Sequence, residues 1–173
     1  DIISDDSFES NNNALVNIVP SSPLILTISN YGVGNATINA KRTDSKTGRV
    51  MYIGENANVT LQNLILTGGY LTNDKNEEAK GAGLYILNND ANVKIENSEI
   101  SENVIDNGYG AGLCVGYHLD GESLNLTIEN SKISRNTIKH DSNGALSQAG
   151  AGIDIKNVAV TLTITNSEIN SNK

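Results

Sequence analysis

Gly110-Ala111-Gly112-Leu113, then Leu126-Thr127-Ile128-Glu129-Asn130-Ser131-Lys132-Ile133, then Asn136, is the stretch that decides the fold, because it is one of four near-copies. The same order stands at Gly81-Ala82-Gly83-Leu84-Tyr85-Ile86, Asn92-Val93-Lys94-Ile95-Glu96-Asn97-Ser98-Glu99-Ile100 and Asn103. It returns at Gly150-Ala151-Gly152-Ile153, Leu162-Thr163-Ile164-Thr165-Asn166-Ser167-Glu168-Ile169 and Asn172. A worn copy comes first, at Met51-Tyr52-Ile53 and Val59-Thr60-Leu61-Gln62-Asn63-Leu64-Ile65-Leu66. A fixed order of short apolar alternations, recurring every 29 to 40 residues, means stacked units that share one core.

Within each copy the period is two, which is strand periodicity. Leu84 and Ile86 point in and Tyr85 out; Val93 and Ile95 point in, Lys94 and Glu96 out. Asn97 breaks the run before a third short strand around Ile100. Three short strands joined by bends make one triangular coil, and the coils stack with parallel pairing. Aligned copies give the interior columns Met51/Leu84/Leu113/Ile153, Leu61/Ile95/Ile128/Ile164 and Leu66/Ile100/Ile133/Ile169. The outward column Ile65/Glu99/Lys132/Glu168 places Lys132 between two carboxylates, with rungs about 4.8 Å apart. Glu102 falls beside Arg135, whereas Glu96 and Glu129 meet as like charges. Asn63/Asn97/Asn130/Asn166 forms a column at a bend, where Asn tolerates the left-handed conformation and its amides can bond up and down the stack. The Gly-Ala-Gly element supplies a turn and room for close packing between coils.

Residues 1–47 read as an N-terminal cap with a first incomplete coil, and 48–173 as the repeats of one continuous domain. Leu24 to Ile28 and Ala36 to Ala40 look like strands, Phe8 to Val19 like the cap, with Pro20 and Pro23 at the junction. The chain begins at Asp1 without Met and ends just after a repeat motif, which reads as a piece of a longer protein.

Composition narrows the function classes. The net charge of −8 opposes nucleic acid as a partner and attraction to an anionic membrane surface. No 18-residue apolar run offers a membrane-spanning helix. The lone cysteine, Cys114, excludes a disulfide framework and a thiolate metal cluster. It falls on an outward strand position and reads as a partly exposed, inert thiol.

The pairing of Gly-Ala-Gly-Leu with Ile-x-x-Asn, at Ile100 to Asn103, Ile133 to Asn136 and Ile169 to Asn172, resembles the repeats of polymorphic outer-membrane proteins. More broadly, residues 48–173 resemble the right-handed parallel β-helix repeats of adhesin-like surface proteins, a pectin-lyase-like fold. The resemblance implies an all-β, right-handed parallel β-helix (solenoid) of about four to five coils, displayed outside the cell or on its surface. It also implies adhesive or scaffolding work on a host or environmental glycan or protein.

The same fold class hosts polysaccharide lyases and glycosidases, which need clustered carboxylates, calcium or a basic residue. Here the outward column of the first strand is Tyr52/Tyr85/Cys114/Asp154, with one carboxylate and no base, so catalysis is the second reading and a plain stalk the third. No catalytic residue is assigned. Binding is expected instead on edge loops: Tyr70 to Lys80, Val104 to Tyr109, Thr137 to Ala149 and Gly116-Tyr117-His118-Leu119-Asp120-Gly121. Tyr70, Tyr109, Tyr117, His118 and Asp120 are the candidate ligand contacts. No cofactor is expected beyond weakly bound calcium at Asn88-Asn89-Asp90 or Asp141-Ser142-Asn143-Gly144. His118 and His140 have no third ligand at metal spacing, and the sequons at Asn35, Asn58 and Asn125 are chance matches in an Asn-rich chain. An open end of the stack makes head-to-tail self-association a further expectation.

Overall fold

A computed structural model describes residues 2–3, 14–72, 79–87, 91–116, 123–139, 149–156 and 159–173. Every regular element among them is a β-strand. The strands stack into a parallel β-solenoid of about four turns, with two faces five strands deep and a third six strands deep. The first sheet runs Ala14–Ile18, Arg49–Ile53, Leu84–Ile86, Leu113–Gly116 and Ile153–Lys156. The second runs Leu24–Ser29, Ala57–Gln62, Ala91–Glu96, Ser123–Glu129 and Ala159–Thr165. The third runs Ile2–Ile3, Ala36–Asn39, Leu64–Thr67, Glu99–Ser101, Lys132–Ser134 and Glu168–Asn170. We number the rungs 1 to 5 from the strand Ala14–Ile18. Of the segment expected to cap the stack, Ala14–Ile18 is instead the first-sheet strand of rung 1, paired with Arg49–Ile53, and residues 8–13 lie outside the described residues.

All three interior columns pair as the repeat alignment requires, Met51 through Ile153, Leu61 through Ile164 and Leu66 through Ile169. Register is fixed because a slip of one residue would turn every apolar side chain outward. Met51, Leu84, Leu113, Leu61, Ile95, Ile128, Leu66, Ile100 and Ile133 are fully buried in one aliphatic core.

The outward charges sort themselves between rungs. Arg135 reaches both Glu102 (3.0 Å) and Glu99 (2.9 Å), and among the described residues Lys132 pairs with Glu168, at 3.6 Å. Glu96 and Glu129 do face each other, and Lys94 neutralises them from 3.2 and 3.0 Å. Hydrogen bonds to Glu129 and Glu96 hold the Lys94 ammonium above its ordinary pKa, so its stabilisation persists below the lysine range and is lost as pH rises through it. Lys94→Met should lower the melting temperature at low ionic strength, and the deficit should shrink with added salt, because exposed pairs are screened.

The edge segments are not loops throughout. Tyr70–Thr72, Val104–Asp106 and Thr137–Lys139 form a fourth parallel sheet, and Ala79–Lys80 pairs with Gly108–Tyr109. Leu71, Ile105 and Ile138 from these strands pack on Ala79, Ala82 and Ala111 as a second, smaller core. Three-residue strands are too short to announce a period, which is why the sequence reads them as loops.

The corners use left-handed residues in register. Asn63, Asn97, Asn130 and Asn166 have φ of 56°, 47°, 49° and 49°, as their column predicts. A second such column, Lys41, Gly68, Glu102, Arg135 and Ser171, carries no sequence signal beyond Gly68. The amide ladder predicted for the first column lies elsewhere. Asn103 Nδ2 donates to Asn136 Oδ1 and Asn136 Nδ2 to Asn172 Oδ1, both at 3.0 Å, in the Ile-x-x-Asn column. An exposed ladder joins Asn125 to Asn92 (2.9 Å) and Asn92 to Asn58 (2.8 Å), which places the sequon residues Asn58 and Asn125 on the outer face of the second sheet.

Candidate functional site

The first sheet's outward column is built by its register: Tyr52 pairs with Tyr85, Tyr85 with Cys114, and Cys114 with Asp154. The Tyr52 and Tyr85 rings lie 5.5 Å apart and tilted by 57°, a favourable aromatic arrangement. The Arg49 guanidinium sits 5.2 Å from the centre of the Tyr85 ring and 6.0 Å from that of Tyr52, and its Nη2 donates to the Lys80 carbonyl at 3.3 Å. The Tyr85 hydroxyl donates to the Gly116 carbonyl of the next rung at 2.8 Å. Burial raises the Tyr52 phenol above its ordinary pKa; the nearby Arg49 opposes this and Glu55 adds to it.

Cations flank the column, whose own positions hold one carboxylate and no base. Lys80 pairs in register with Tyr109, and the Lys156 ammonium lies 3.0 Å from the centre of the Tyr109 ring. Lys80, Lys156 and Arg49 all bear electrostatically on Cys114. Three cations and the Asp154 carboxylate thus gather near Cys114, in a chain whose net charge is −8. Asp154 Oδ1 accepts from the Gly150 amide at 3.3 Å, while its Oδ2 is buried with no hydrogen-bond partner among the described residues. A buried acceptor left open in this way costs free energy until a donor meets it.

Cys114 is 1% exposed, not partly exposed as its outward position predicts. Burial, with a smaller contribution from Asp154, pushes its thiol up to about 12. The thiol is therefore protonated at neutral pH and is no nucleophile. An acid whose folded-state pKa exceeds its ordinary value of 9.0 stabilises fully below pH 9 and loses that contribution as pH rises toward 12. The wild type should therefore lose about 2 kcal/mol more stability than Cys114→Ala between pH 8 and about pH 10.5, measured by urea unfolding.

The predicted contacts fare unequally. Tyr70 is a strand residue, 9% exposed; its hydroxyl accepts from Lys139 at 3.0 Å, and that bond holds the lysine's pKa above its ordinary value. It is not a free loop aromatic, because its strand pairs with Val104–Asp106 and its backbone with Gly48. Tyr109 is half-buried against Lys156 and joins the first-sheet face. Tyr117, His118, Asp120 and His140, with the oxygen-rich runs at 88–90 and 141–144, lie outside the described residues. Among the described residues no three His, Cys, Asp or Glu side chains gather as a metal-binding group. Sequence reading missed Arg49, Lys80 and Lys156, which stand at the strand ends and not in the alternating column. A signal was present for Lys80 and Tyr109: each immediately precedes a Gly-Ala-Gly turn, at Gly81 and Gly110. No protein-family model, curated protein or solved structure matches the chain.

Proposed function

We propose that the chain is a non-catalytic binding module, adhesin-like or scaffolding, whose first-sheet face takes an acidic glycan. The observation that carries this reading is the gathering of Arg49, Lys80 and Lys156 with Tyr85 and Tyr109 on one face of an otherwise acidic chain. Half-buried tyrosines can stack on a sugar, and the cations meet carboxylate or sulfate groups. Two features favour binding over hydrolysis or lyase chemistry. The column offers one carboxylate where a glycosidase uses a pair, and the Cys114 thiol stays protonated. An extracellular or cell-surface setting rests on the resemblance to outer-membrane-protein repeats. A pure stalk is the second reading, favoured by the internal bonds that occupy the Tyr70 and Tyr85 hydroxyls.

The test is titration with oligogalacturonate and with a neutral glucan oligomer of equal length, at two salt concentrations, with new reducing ends assayed in parallel. The acidic oligomer should bind, more weakly at high salt, without new ends. The double variant Arg49→Ala, Lys156→Ala should lose about tenfold or more in affinity. New reducing ends above a heat-killed control would establish an enzyme, and absence of binding would leave the stalk.

A further inference from the structure

The outward face of the second sheet carries a polar lattice on rungs 2 to 4, in the middle of the stack, with rungs 1 and 5 on either side. Asn58, Asn92 and Asn125 stand in one column, and Thr60, Lys94 and Thr127 in the column beside it. A shallow groove of about 160 Å³ runs between the two columns. The Asn column is locked in one orientation. The Asn92 backbone amide donates to Asn58 Oδ1 at 2.9 Å, which fixes that oxygen on the ladder. Asn92 Nδ2 donates to the same oxygen at 2.8 Å, and Asn125 Nδ2 donates to Asn92 Oδ1 at 2.9 Å. Each amide nitrogen carries two N–H groups and the ladder takes one, so a donor remains at every rung, about 4.8 Å from the next.

Asn92 and Asn125 are exposed, so the fold gains little from their ladder, unlike the buried ladder of Asn103 and Asn136. Charge narrows what the groove accepts. The Lys94 ammonium is held by Glu96 and Glu129, at 3.2 and 3.0 Å. One ammonium against two carboxylates leaves the rim negative, which disfavours an acidic ligand.

We propose that this groove binds a neutral, extended glycan of the cellulose type, lying along the stack with one sugar to a rung. Such a β-linked chain is a flat ribbon whose sugars advance by close to the rung spacing and carry hydroxyl oxygens along both edges. One edge accepts from the spare N–H groups of Asn58, Asn92 and Asn125, and the Thr60 and Thr127 hydroxyls bond the sugar hydroxyls beside it. The Lys94 stem lines the groove at rung 3 while its ammonium stays with the two glutamates. Donors already fixed in register lose little freedom when the ribbon docks. The groove and the first-sheet face lie on different sheets and select differently, the one by spacing and the other by charge.

Cellohexaose titrated into the full chain should shift the side-chain amide resonances of Asn58, Asn92 and Asn125 saturably, with little difference between low and high salt. Maltohexaose, whose α links coil the chain away from that spacing, should bind markedly more weakly, and oligogalacturonate should leave these amides unmoved. The double variant Asn92→Ala, Asn125→Ala should lose about tenfold or more in cellohexaose affinity and keep the wild-type circular dichroism, since both side chains are exposed. The double variant Arg49→Ala, Lys156→Ala should bind cellohexaose as the wild type does, which separates this groove from the first-sheet face. Three results would overturn the proposal: no saturable shift with cellohexaose, equal binding of maltohexaose, or cellohexaose binding that survives loss of both asparagines.

Discussion

Asn136→Leu is expected to cost about 4–6 kcal/mol of folding stability, read from the urea midpoint. The substitution keeps the branched shape and the number of heavy atoms and removes the polar groups. Asn136 is fully buried, and its Nδ2 donates to the Ile100 carbonyl and to Asn172 Oδ1, each at 3.0 Å. Its Oδ1 accepts from the Asn103 amide at 3.1 Å and from Asn103 Nδ2 at 3.0 Å. Leucine removes all four bonds, each lost bond costing about 1–1.5 kcal/mol. The buried Asn103 amide loses its acceptor, Asn103 Nδ2 keeps only the Leu66 carbonyl, and Asn172 Oδ1 keeps only the residue-136 backbone amide. The comparison is Asn92→Ala in the exposed ladder, where water replaces the lost partner and the expected cost is below about 1 kcal/mol.

Gly112→Ala should be nearly as damaging, at about 3 kcal/mol or more, although it adds one methyl group. A Cβ at Gly112 would lie 2.6 Å from the Gly152 carbonyl oxygen and 2.7 Å from Asn136 Nδ2. Both belong to packed rungs, so the methyl can be housed only by opening the stack. In Gly32→Ala the nearest atom is the end of an exposed Asn30 side chain at 3.3 Å, and the change should stay within about 0.5 kcal/mol. Comparing the two midpoints separates a clash between rungs from the general entropic effect of replacing glycine.

These two residues show what the sequence discloses and what it withholds. Gly-Ala-Gly and Ile-x-x-Asn recur together, and their contact explains why. Built Cβ atoms at Gly83, Gly112 and Gly152 would lie 2.6, 2.7 and 2.8 Å from the amide nitrogens of Asn103, Asn136 and Asn172. The central Ala82 and Ala111 turn the other way, into the second core. The repeat therefore made the register and the main core legible, since alternation and spacing are properties of the chain alone. The fourth sheet was hidden because its strands are three residues long, too short for an alternation to show around Leu71, Ile105 and Ile138. The candidate site was half legible. Tyr52, Tyr85, Cys114 and Asp154 follow from strand alternation, whereas Arg49, Lys80 and Lys156 reach the face from strand ends with no periodic mark. Burial of Cys114 was misread because an outward position on a strand need not be an exposed one: the residue is 1% exposed, with Arg49, Lys80 and Lys156 close by.

The claim that the first-sheet face is the binding surface is tested most directly by following backbone and side-chain resonances of the full chain during titration with oligogalacturonate. The largest changes should fall on Arg49, Lys80, Tyr85, Tyr109, Asp154 and Lys156. Changes confined to the outer face of the second sheet, around Asn58, Asn92 and Asn125, or no saturable change at all, would contradict it.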